Sequence, residues 1–242
     1  HRRGRGREVV MLPSLGRPGS DLDVLAEAAA SAGWEATTLD LHGVGDSPAL
    51  PEGSDLHVAA ADVAALIQPD RPAVLVGHAF GNRVARCLAA DHPDLVAGLV
   101  LLGCGGRVPG DKEAWAALRA CFDTTLALDA HLAAVGTAFF APGNDPAVWT
   151  DGWWADAAQG QSAATAATPV DDWWTPPAPV PVLAVVGADD RISPPANAAD
   201  LVSSVGERGE LRVVPGAGHA LIPERPAEVV VALLAFLDQL DG

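Results

Sequence analysis

Three short stretches of this chain hold side chains that could do chemistry together. The first is Gly77-His78-Ala79-Phe80-Gly81, a tight glycine-bracketed segment between an apolar run and a run of helical period. The second, Gly187-Ala188-Asp189-Asp190-Arg191-Ile192-Ser193-Pro194, offers two adjacent carboxylates, and the third, Gly216-Ala217-Gly218-His219, offers an imidazole. An imidazole that takes up a proton and a carboxylate that orients it are two of the three parts needed for acyl transfer. The third part is a nucleophile. A turn as tight as the first stretch presents its central residue at the top of a sheet, and here that residue is Ala79, whose methyl group cannot attack a carbonyl.

The elements that must hold these stretches follow from the apolar pattern. Val74-Leu75-Val76 reads as a buried strand and the spacing of Val84, Cys87 and Leu88 as a helix, which makes the first stretch a strand-turn-helix junction. Further strands are predicted at 8–13, 34–39, 95–102, 180–187 and 210–214, so the carboxylate and imidazole stretches also follow strands. Helices are predicted from a Ser20 cap to Gly33, from a Ser54 cap through Leu66, over 195–205 and over 224–240. Between 107 and 179 the alternation stops: helical patterns at 113–128 and 131–140 give way to an irregular stretch with Pro142, Pro146 and Pro169. Strands alternating with helices on both sides of such an insertion predict an α/β fold, a mainly parallel central sheet flanked by helices. Its core would comprise residues 1–106 and 180–242, and residues 107–179 would form a helical cap over one edge.

The first stretch resembles the nucleophile elbow Gly-x-Ser-x-Gly of the α/β-hydrolase superfamily, with alanine in the serine's place. Asp40-Leu41-His42-Gly43-Val44-Gly45-Asp46-Ser47 resembles the family's Asp-x-x-Gly-x-Gly-x-Ser loop. The second stretch resembles its Gly-x-x-Asp-x-x-x-Pro acid loop, and Gly218-His219 through Glu224-Arg225-Pro226 its histidine segment. The order elbow, acid, histidine is the family's order. The resemblance implies Asp190 as the acid, His219 as the base and position 79 as the nucleophile's place. It also implies an oxyanion hole from the backbone N–H groups of Phe80 and Leu15, with Ser14 beside them in the substrate site. In that family a β-hairpin normally precedes the first strand, and residues 1–6 resemble only its tail. The expected activity is hydrolysis of a carboxylic ester or lactone through an acyl-enzyme, stopped here by a Ser→Ala change at position 79. Two alternatives stand beside it: a natural, non-catalytic ligand-binding member, and a C–C hydrolase or lyase of the same fold.

Composition narrows the partners. With 31 acidic against 15 basic residues, nucleic acid and anionic membrane surfaces would be repelled. Cys87, Cys104 and Cys121 are widely spaced and read as buried free thiols in the cytoplasm, and no Cys/His cluster suggests a metal or other cofactor. Five tryptophans, Trp149, Trp153, Trp154, Trp173 and Trp174, fall close together in the predicted cap. Adjacent residues diverge by about 100° in a helix and 180° in a strand, so some of these rings are expected to line the cleft. A wall of that kind would take a bulky apolar or aromatic ester.

Overall fold

A computed structural model describes residues 1–241 of the chain. The strands are β1 (Arg2–Gly4), β2 (Glu8–Leu12), β3 (Glu35–Thr38), β4 (Ala73–His78), β5 (Val96–Leu102), β6 (Val182–Gly187) and β7 (Gly209–Val214). They form one sheet in the order β1-β3-β2-β4-β5-β6-β7. The β1–β3 pair is antiparallel and the other pairs are parallel. The helices are α1 (Asp23–Ser31), α2 (Leu56–Ala64), α3 (Phe80–Asp91), α4 (Lys112–Ala120), α5 (Leu128–Phe139), α6 (Ala155–Ala167), α7 (Pro195–Val205), α8 (Leu221–Glu224) and α9 (Pro226–Asp241). Strands β2, β4 and β6 are buried along their whole length, the signature of a sheet covered on both faces. One core packs α2, α3 and α7 on one face, around Leu75, Leu101 and Ala184; the other packs α1 and α9 on the opposite face, around Val76, Val100 and Phe236.

The parallel pairing puts the carboxyl ends of β2, β4, β5, β6 and β7 at one rim, where an α/β sheet places its sites. Local chemistry departs from the sequence reading in several places. Ser20 lies in a short 3-10 turn and caps nothing, so α1 begins only at Asp23. The cap of α2 is Asp55, not Ser54: its carboxylate accepts the Val58 N–H at 3.1 Å. The helix expected over 113–128 stops at Ala120, and the stretch read as irregular contains α6, thirteen residues long. An alanine-rich segment with Gln, Ser, Thr and Gly160 has no apolar stripe for a period to reveal. The final helix starts at Pro226, after the one-turn α8. Among the described residues no helix is long and apolar enough to cross a membrane.

Candidate active site

Position 79 joins β4 to α3 at φ +49° and ψ −101°; among the described residues it is the one non-glycine with a positive φ. Such a backbone costs on the order of 1–3 kcal/mol and persists where its surroundings over-determine it. They do so here. A β-carbon on Gly77 would lie 2.5 Å from Asn82 Cα, and one on Gly81 would collide with the Leu12 carbonyl oxygen. The Ala79 N–H donates to Leu102 O at 2.9 Å and the Gly81 N–H to Pro13 O at 3.0 Å, which ties the turn to both neighbouring strands. The strain is measurable: Ala79→Gly should raise the melting temperature by about 2–4 °C, the equivalent of ~1 kcal/mol in a domain this size. A lower melting point for the glycine variant would show that the turn is relaxed as it stands.

The imidazole of His219 and the carboxylate of Asp190 meet at 2.8 Å, Nδ1–H donating to Oδ2, with both side chains buried. The other carboxylate oxygen, Oδ1, accepts the N–H groups of Ile192 at 3.0 Å and Ser193 at 2.7 Å, which fixes the carboxylate plane. With Nδ1 so occupied, Nε2 is the nitrogen left for the cavity. A β-carbon on Gly103 would lie 3.0 Å from the imidazole Cε1, so the bare backbone at the end of β5 is what lets the ring sit there. Glu224 holds the histidine loop from behind. It accepts the Gly218 N–H at 2.7 Å and, through its other oxygen, the Ala141 N–H and the Asn144 amide. Burial raises the Glu224 carboxyl above the usual range against the pull of these donors.

His78 packs behind the elbow, fully buried, and its Nε2–H donates to the His219 carbonyl at 2.9 Å. Burial, with the neighbouring His219, pushes its pKa down to about 3. The unfolded chain would take up this proton near pH 6.5 and the folded chain refuses it until about pH 3. The resulting stability is therefore fully present above pH 6.5 and is lost as pH falls towards 3, by ~1.4 kcal/mol per pH unit. His78→Gln should flatten the acid arm of a melting-temperature profile; the same slope in parent and variant would refute this assignment.

Ala79 and His219 open into one cavity of about 230 Å³, together with Ser14, Leu15 and Phe80. Phe80 is the first residue of α3, where a backbone N–H has no intrahelical acceptor. The loop holding Leu15 is tied down by Gln161 of α6, which is fully buried: its Oε1 accepts the Gly16 N–H at 2.8 Å while its Nε2 donates to the His42 carbonyl at 2.9 Å. Sequence reasoning missed Gln161, since a lone glutamine on an unrecognised helix gives no signal. The remaining lining comes from Arg83 on α3, Trp115 and Leu118 on α4, Phe139, Ser162, Thr165 and Ala166 of α5 and α6, the β5 end at Gly103 and Gly105, and Ile192 with Ser193.

The tryptophan wall expected from the sequence lies elsewhere. None of Trp149, Trp153, Trp154, Trp173 and Trp174 lines the cavity; the tryptophan that does is Trp115. Trp149 is buried against Phe139, Phe140 and Trp153, and the Arg17 guanidinium lies 4.6 Å from its ring centre and 4.4 Å from that of Trp153. Trp154 is exposed. Trp173 and Trp174 are both buried around the Arg86 guanidinium, 4.5 Å and 5.1 Å from the two ring centres. The divergence expected of neighbours assumed helix or strand, and this pair sits in neither, so both rings turn to one cation.

Comparison with known proteins agrees with this architecture. Residues 9–233 match the family model described as the alpha/beta hydrolase family. Among curated proteins, a pimeloyl-[acyl-carrier protein] methyl ester esterase of Neisseria meningitidis is 40% identical over 80 residues, 33% of this chain and 25% of that protein. Lipase LipV of Mycobacterium tuberculosis is 49% identical over 76 residues, 30% of this chain and 28% of that one. The matched segments thus span under a third of these relatives. Among solved structures, a putative non-heme bromoperoxidase, BpoC, of Mycobacterium tuberculosis superposes with a TM-score of 0.83 at 25% identity, covering 99% of this chain and 95% of that one. An esterase from Exiguobacterium antarcticum superposes with a TM-score of 0.81 at 19% identity, over 98% and 94% of the two chains.

Proposed function

The chain belongs to the alpha/beta hydrolase family, and from that premise we propose that it is built to cleave a carboxylic ester or lactone through an acyl-enzyme, with the attacking group removed at position 79. The observation that carries this reading is the pairing of His219 with Asp190 beside a strained turn that opens into the same cavity. With a serine at position 79, His219 Nε2 would take the hydroxyl proton as the oxygen attacks the carbonyl. The N–H groups of Phe80 and Leu15 would stabilise the charge that develops on the carbonyl oxygen. His219 would then return the proton to the leaving alkoxide, and a water would repeat the sequence to release the acid.

The esterase and lipase among the relatives support an ester as the bond cleaved. Leu15, Phe80, Trp115, Leu118, Phe139 and Ile192 make most of the cavity wall apolar, which favours an apolar body on the substrate. We place residues 107–179 as a cap, since α4, α5 and α6 all contribute to this wall. Three buried thiols, none in a disulfide, support a reducing compartment such as the cytoplasm. Ala79 itself favours one second reading, a natural ligand-binding protein that has given up catalysis. Restoring the hydroxyl with Ala79→Ser separates the two: turnover of aryl esters supports the enzyme, and ligand binding with no acquired turnover supports the binding protein.

A further inference from the structure

The cavity beside position 79 has a charge opposite to that of the molecule around it. The chain carries 31 acidic against 15 basic residues, yet among the described residues no aspartate or glutamate lines this cavity, and the one permanently charged side chain that does is Arg83. Arg83 lies in the first turn of α3, four residues after Ala79, and both line the cavity. Helical side chains lean back towards the amino terminus, which carries its guanidinium towards the elbow.

Nothing in the described residues neutralises it. No hydrogen bond or carboxylate partner engages Arg83, whose neighbours are the Trp173 ring, with the guanidinium carbon 5.8 Å from its centre, the like charge of Arg86, and the buried Cys104 thiol. Arg86 has no carboxylate partner either, but it is fully buried, does not line the cavity, and donates to Asn82 Oδ1 at 2.8 Å and to Gly105 O at 2.9 Å. The Asp190 carboxylate is committed to His219, Ile192 and Ser193. Burial pushes the Arg83 pKa down to about 10, with Arg86 adding to the effect, so the group stays charged at neutral pH. Half-buried in the cavity wall, this cation has no counter-charge of its own, and a ligand anion is what would supply one.

A hydroxyl reaches the same stretch of wall. The point where a β-carbon of Gly105 would sit is 2.5 Å from Ser193 Oγ and 3.8 Å from Arg83 Nη2. The bare backbone of Gly105 is thus what lets the Ser193 hydroxyl approach so closely, and Gly105, Ser193 and Arg83 all line the cavity.

We propose that Arg83, with the Ser193 hydroxyl, is an anion-recognition subsite, and that the ester taken by this cavity carries a free carboxylate a few bonds from its ester carbonyl. This rests on the ester reading above and narrows it to half-esters of short dicarboxylic acids and their like. A guanidinium fork matches a planar carboxylate, and the apolar wall leaves the chain between the two carbonyl groups dry.

The test uses the chain as it stands, since Ala79 lets ligands bind without turnover. Monomethyl adipate and its neutral counterpart dimethyl adipate are titrated calorimetrically at pH 7. The half-ester should bind about 10- to 100-fold more tightly, the range expected of a charge-assisted contact. Arg83→Gln should erase that preference while leaving the diester within about threefold, and Arg83→Lys should retain part of it, both checked for folding by circular dichroism. Equal affinity for the two ligands, no measurable half-ester binding at millimolar concentration, or an unchanged preference in folded Arg83→Gln would each overturn the proposal. The ester reading fails separately, through an inactive Ala79→Ser variant, because binding to the Ala79 protein does not depend on turnover.

Discussion

Replacing Ala79 by serine should raise hydrolysis of p-nitrophenyl acetate by about 10⁴- to 10⁶-fold over the unaltered chain, the span between losing a nucleophile and keeping only binding and oxyanion stabilisation. The size of the effect follows from how little else has to change. Serine shares alanine's β-carbon, so the turn at φ +49°, the hydrogen bonds of the Ala79 and Gly81 N–H groups, and the close approach of Gly77 to Asn82 are all retained. The added oxygen enters a cavity already lined by His219, Leu15 and Phe80. Burst kinetics with a p-nitrophenyl ester would read the acyl-enzyme directly. A serine variant that folds and turns over neither aryl esters nor lactones faster than its parent would leave the binding-protein reading in possession.

In that serine background, Asp190→Asn should cost about 10⁴-fold in kcat with a much smaller change in KM, as expected of a group that acts through the imidazole it orients. The geometry says why an almost isosteric change does so much. Oδ1 of Asp190 faces two donors, the N–H groups of Ile192 and Ser193, and only an oxygen can satisfy them. An asparagine must therefore turn its oxygen to the loop and its NH₂ to His219. That NH₂ would donate to Nδ1 and drive the ring proton onto Nε2, the nitrogen that needs to be free to accept a proton from the nucleophile. Steady-state kinetics of the double variant gives the answer. A loss under about tenfold would mean that Asp190 does not set the tautomer, and the acid would have to be sought elsewhere.

The Arg83 subsite bears on how these assays are chosen. With a single guanidinium in the wall, a neutral aryl ester reports the chemistry at position 79 alone, and a half-ester reports chemistry and recognition together. The strongly acidic exterior works against anions at a distance, so half-ester association should quicken with salt while neutral esters stay indifferent.

Much of the fold was legible in the sequence because its signals are local. Strand-type runs at 73–76, 95–102 and 180–187 are apolar enough to require burial on both faces, and the glycines at 77 and 81 bracket a turn with room for no side chain. The loops holding Asp190 and His219 announced themselves by residue type and by following strands. The irregular-looking segment after Phe140 was opaque, because α6 is held by tertiary contacts such as the bonds of Gln161 to Gly16 and His42 rather than by an apolar stripe of its own.

Sequence by itself determined the chemical parts and the order of the scaffold: a methyl at a strand-turn-helix junction, and a carboxylate and an imidazole that each follow a strand. Tertiary structure alone decided what surrounds them. Which tryptophan and which arginine reach the cavity, and which glycine lets a hydroxyl close in on its wall, depend on side chains from α3, α4, α6 and the β5 end, far apart along the chain, arriving at one place. Burial and pairing are properties of such convergence, and a residue's type and spacing do not contain them.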